Sequence, residues 1–146
     1  VLYDTRFDWD THADNVLQHS FYNRAFKGLD TMMEDLDSRG MLEDTLVIWT
    51  GEFGRTPFAQ GRDGRDHNPY GFTMWMAGGG VNGGSIVGST DEFGMHAVEN
   101  RAHVHDLHAT VLAAMGLDNY ELTYMHQGRP ERATINEGEV IDGVLG

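Results

Sequence analysis

The sequence predicts an α/β layered domain. Three observations carry that reading: two segments with helical apolar periodicity, short apolar runs too brief for helices, and the order strand, helix, strand, loop, strand, helix. Residues 1–7 (VLYDTRF) read as a first strand. From Asp14 to Arg39, Leu17, Phe21, Ala25, Leu29, Met32, Met33 and Leu36 recur at spacings of three and four, the stripe of a long amphipathic helix. Asp14 suits its N-cap, and Gly40 sits where a left-handed residue would stop it. Residues 45–50 (TLVIWT) are β-branched, aromatic and apolar on both faces, which predicts a central parallel strand. The polar, Gly- and Arg-rich stretch 51–69 follows neither period and reads as a functional loop. Residues 72–77 (FTMWMA) predict a second buried strand, 78–84 (GGGVNGG) a turn, and 85–87 (SIV) a third strand. The run 105–115 predicts a second helix ending at Gly116, and the tail from Asn119 a peripheral hairpin or extended arm.

With 40% of 146 residues apolar, the chain has material for one compact domain with a core. Ten basic against 23 acidic side chains leave a net charge of -13, which opposes recognition of a phosphate backbone and makes nucleic acid an unsuitable partner. No apolar run approaches the ~20 residues of a membrane span. Without cysteine there are no disulfides, thiolate ligands or thiol nucleophiles, so any metal must be held by His, Asp and Glu. A chain that opens inside a predicted strand, without an initiator Met, reads as a fragment of something longer.

The chemistry-bearing candidates begin with DWDTH at 8–12, where Asp8 and His12 fall on one side of a helical turn or of an extended segment, in which Asp10 joins them. Both geometries suit a shared metal, although Asp63 and His67 repeat the same spacing and a capping or surface cluster is the alternative. Glu52 follows the strand predicted at 45–50, and the carboxyl ends of strands are where open α/β sheets bind ligands. Arg55, Arg62 and Arg65 share one loop; a guanidinium fork suits phosphate, sulfate or carboxylate, and pairing with Asp63 and Asp66 is the plainer use. Asp66 can orient His67 if the backbone turns, and His96 lies in a loop free to face the strand ends. His103, His105 and His108 crowd the start of the second helix, whose positive end keeps the rings neutral and able to bind metal, and capping and packing is their plainer use. The glycines at 78–84 lack the Gly-Lys-Ser/Thr ending of a phosphate loop, and no Gly-x-Ser-x-Gly elbow occurs.

Taken in order, FDWDTH (7–12), the helix running into DLDSRGMLEDTLVIWTGEFGRTP (35–57), GRDHNP (64–69), AGGGVNGG (77–84) and DLHATVLAAMGL (106–117) resemble the DUF1501 proteins, over roughly residues 5–145. The resemblance implies the alkaline phosphatase and sulfatase superfamily: a three-layer α/β fold with helices on both faces of one sheet, of which residues 1–146 are the C-terminal part. It implies one metal site from Asp8, His12 and a later His, best matched by His96. Glu52 stands for the second-site Asp. Phe53 replaces that site's His, which leaves His67 as the substitute. The nucleophile is expected in the absent N-terminal half. The implied activity is metal-dependent hydrolysis of phosphate or sulfate esters, on a small-molecule or glycan substrate, with one or two divalent ions (Zn or Mn before Ca or Mg) and Arg55 and Arg65 on the oxyanion. A noncatalytic metal- or glycan-binding module is the alternative, and export to the periplasm is implied only because family members often carry a leader.

Overall fold

The computed structural model describes residues 9–134 and 138–146, so the strand predicted at 1–7 and Asp8 lie outside the described residues. Asp14 opens the first helical stretch by accepting a hydrogen bond from the Val16 amide; a 3-10 turn, Asn15–Leu17, leads into helix α1, Gln18–Ser38. Gly40, at φ 66°, closes α1 in a Schellman arrangement, with the Met41 amide on the Leu36 carbonyl and the Gly40 amide on that of Asp37. Helix α2, Val104–Ala114, begins with a capping box between His103 and Asp106 and ends in the same motif around Gly116.

The strands are two to four residues long: β1 Val47–Trp49, β2 Gly54–Arg55, β3 His67–Asn68, β4 Trp75–Ala77, β5 Ser89–Thr90, β6 Ala97–Glu99, β7 Thr123–His126 and β8 Arg129–Arg132. Among the described residues they form four separate two-stranded sheets, β1·β4, β2·β3, β5·β6 and β7·β8. This overturns the three-layer α/β fold with a central sheet. The run at 45–50 does form a strand, but β1 pairs antiparallel with β4, Ile48 opposite Met76. Its apolar faces suggested burial on both sides, whereas every β1 residue is only half-buried. Residues 85–87 form no strand, and Ile86 is 95% exposed. The tail does form the expected hairpin, turning at Gln127 and Gly128 with positive φ at both, as a two-residue hairpin loop requires.

The chain divides into two compact units. One takes the chain up to Met41 with Thr50–Met74 and Thr90–Ala97; the other takes Leu42–Trp49, Trp75–Ser89 and Val98–Gly146. In the first, the apolar stripe of α1 is half-buried and Gln18 is the helix's buried residue. Glu34, Asp35 and Arg39 are exposed, as the stripe predicts. In the second, Leu107 and Ala109 on α2 are buried, and Thr110 beside them donates to the Asp106 carbonyl and accepts from the Ile141 amide.

Candidate metal centre

In the first unit two stretches of irregular chain are locked together. Hydrogen bonds from the Thr11 amide to the Trp9 carbonyl and from the His12 amide to the Asp10 carbonyl curl residues 9–12, so that Asp10 and His12 face one side. The loop after β2 lies against them: the Asn15 amide bonds the Asp63 carbonyl, and the Arg65 amide bonds that of Thr11. Gly64 is needed there, because a Cβ would collide with the His12 carbonyl. Downstream, β2·β3 sets Arg55 opposite His67, on one face of the ladder. Asn68, fully buried, ties the end of β3 down by donating to the Gly71 and Met95 carbonyls and accepting from the Tyr70 amide.

The result is a triangle of donor atoms. His67 Nε2 lies 2.8 Å from Asp10 Oδ1, His12 Nε2 lies 2.9 Å from the same oxygen, and the two ring nitrogens are 3.0 Å apart. His12 Nδ1 faces Gln60 Oε1, an acceptor, so in the neutral ring the proton sits on Nδ1 and Nε2 presents its lone pair to the group. The three donor atoms all lie within 4.8 Å of one another, close enough for a single ion to reach each of them. The acceptor on His12 Nδ1 is the outer support that metal-bound imidazoles ordinarily carry. The three residues are thus a donor set able to hold a metal ion, with Asp10 and His67 exposed and His12 half-buried.

The surroundings are electrostatically tuned. His67, then Arg55, through hydrogen bonds to Asp10, hold its carboxyl at about 2, so it is ionised at any ordinary pH. Phe53 stacks on the His67 ring at 3.8 Å between centroids, and the Arg55 guanidinium lies 5.7 Å from the Phe53 ring. Asp66 Oδ1 accepts the His67 amide and stands 3.8 Å from His12 Nδ1.

Residues 2–145 match the family model described as a protein of unknown function, DUF1501. The chain belongs to the DUF1501 family. No curated protein and no solved structure matches it.

In this DUF1501 chain the residues singled out by sequence are divided. His12 and His67 come together, and Asp10 joins them as the third donor. Asp10 was visible in the alternation of residues 8, 10 and 12, which an extended segment places on one side. Glu52 is exposed and outside the group. His96 is also outside it: its Nδ1 is 3.2 Å from Asp91 Oδ2, and its ring lies against Tyr70. Arg55 is three-quarters or more covered and is bonded to Asp10 and to the Trp9 and Arg65 carbonyls, while Arg65 donates to the Gly64 carbonyl. Arg62 pairs with its neighbour Asp63.

Proposed function

We propose that this chain carries a divalent-metal centre of an enzyme that hydrolyses phosphate or sulfate esters of small molecules or glycans. The observation that carries the reading is the convergence of Asp10, His12 and His67 on one point from stretches more than 50 residues apart. Two imidazoles and a carboxylate favour Zn or Mn over Ca or Mg. A bound ion supplies Lewis acidity toward an ester oxygen and lowers the pKa of coordinated water. The chain's own residues do the rest. Gln60 keeps the His12 lone pair turned inward, Phe53 fixes the plane of His67, and Arg55 stands beside Asp10 as the cation nearest an incoming anion. Glu52 remains a proposed ligand of a second ion, and His96, with Asp8, a proposed further ligand of the ion that His12 holds. The exposure of Asp10 and His67 favours a second reading, a noncatalytic binding module, since catalytic electrostatics gain most where water is excluded.

The test is metal content after equilibration with Zn or Mn and gel filtration. Wild-type protein is expected to retain the ion, and His67→Ala to lose about 10-fold or more in affinity with its far-UV spectrum unchanged, at least the loss typical of an outer-shell change. Equal retention by both proteins overturns the metal reading. Hydrolysis of p-nitrophenyl phosphate and sulfate, assayed on the longest natural form of the protein, separates enzyme from binding module.

A further inference from the structure

We propose that the chain pairs with a second copy of itself along the free edge of β7, so that two tail hairpins join into one four-stranded antiparallel sheet. Every residue of β7 and β8 is exposed, Tyr124 and Met125 by more than half. A two-stranded sheet with neither face covered is marginal in water, and added strands stabilise it.

The two edges of the hairpin are not alike. Thr123 stands opposite Arg132, Tyr124 opposite Glu131, Met125 opposite Pro130 and His126 opposite Arg129. Along an antiparallel ladder such pairs alternate: one pair exchanges both hydrogen bonds, and the next turns its amides and carbonyls outward. The Ala133 amide bonds the Leu122 carbonyl, which makes that pair the bonded kind and the Thr123–Arg132 and Met125–Pro130 pairs the outward kind. Pro130 therefore puts a missing N–H on the outer edge of β8, beside Arg129, Glu131 and Arg132, and proline and charge are the devices that blunt an edge. The edge of β7 has neither. Its sequence is TYMH, and among the described residues no group of the chain hydrogen-bonds the outward amides and carbonyls of Thr123 and Met125.

That edge is complementary to itself. A two-fold axis through Tyr124 brings Thr123 opposite Met125 of the second copy, and each of the two such pairs exchanges two hydrogen bonds. Tyr124 then faces its own counterpart in the closer kind of pair, with Cα atoms ~4.5 Å apart, where aromatic rings stabilise a sheet. Two chains of net charge -13 also meet along strands that carry no carboxylate.

Sedimentation equilibrium from micromolar to millimolar protein tests the pairing. Wild-type protein is expected to form a concentration-dependent dimer. Met125→Pro removes an outward amide that β8 does not use, and Tyr124→Lys sets two ammonium groups against each other on the axis; each should weaken the dimer about 10-fold or more. Because the chain has no cysteine, Tyr124→Cys can form a disulfide only between copies, and its place on the axis falls within disulfide reach. Under mild oxidation it should cross-link far faster than Glu131→Cys, an exposed control on β8. A wild-type monomer at every concentration overturns the inference and leaves the edge to a different extended segment. A dimer equally tight in both variants, or equal cross-linking by the two cysteine variants, overturns it in favour of another surface. Far-UV circular dichroism checks each fold; should Met125→Pro fail to fold, Tyr124→Lys and the cysteine variants decide.

Discussion

Asn68 is a side chain whose contacts are all satisfied and none replaceable. It is fully buried, donates twice and accepts once, and it follows His67 directly in β3. Asn68→Ala leaves the Tyr70 amide and the Met95 carbonyl without their partner, so we expect a loss of about 1–3 kcal/mol in urea unfolding, accompanied by weaker metal retention. Asp91 offers a pH test. Its carboxylate accepts the amides of Met95, His96 and Phe93, and the Met95 bond foremost pulls its pKa below the usual range. A lowered folded pKa means the stabilisation is full above the unfolded value of ~3.9 and is lost as pH falls from there through the folded value. Asp91→Asn should therefore melt lower than wild type at neutral pH, with the gap closing in acid; a constant gap would refute the titration. In the sequence His12 stood out by its spacing from Asp8, and His67 as the imidazole of the loop at 51–69, but the two were expected at two different sites rather than together. The pairing of His96 with Asp91 was not legible there, since it depends on the closure of a loop around one carboxylate.

At the scale of elements, helices were the readable part. A stripe at spacings of three and four, an Asp ahead and a Gly behind are local signals, and α1 and α2 start and stop within a few residues of the predicted bounds. Burial was less readable, because it depends on what faces the stripe. Leu107 on α2 is buried, whereas Leu29 on α1 is half-buried. Accordingly Leu107→Ala should cost about 2–4 kcal/mol and Leu29→Ala nearer ~1 kcal/mol, measured by chemical denaturation; equal losses would mean that α1 is as well covered as α2. Strand pairing failed for a related reason. The composition of residues 45–50 and 72–77 marks them as extended but carries no direction, and both orientations bring the same apolar side chains together. Directly after β4, Gly78, at φ 72°, brings its backbone against the Leu42 and Thr45 carbonyls with no room for a Cβ.

Across the whole molecule, little buried apolar surface opposes a large charge. Leu107 and Ala109 are the buried apolar residues among those described, while Ile86, Phe93, Met115 and Met125 are each more than 60% exposed. Net stability is the small remainder of large opposing terms, so self-repulsion at a net charge of -13 weighs heavily here. Ion pairs offset it weakly. Arg39–Asp35 and Arg62–Asp63 have solvent on both partners, and such pairs contribute about 0–1 kcal/mol. Raising sodium chloride from about 0.01 to 0.15 M shortens the screening length from ~30 to ~8 Å, which attenuates repulsion between distant carboxylates more than attraction across a 3 Å pair. Repulsion should therefore fade first and Tm should rise; at about 2–4 °C per kcal/mol for a chain near this size, a gain of a few degrees is expected in differential scanning fluorimetry. Chloride is the right anion for the test, because sulfate stabilises folded proteins by exclusion from their surfaces and is itself a candidate ligand of Arg55. A Tm that stays level or falls with salt would show that close pairs, Arg55–Asp10 foremost, outweigh the net charge.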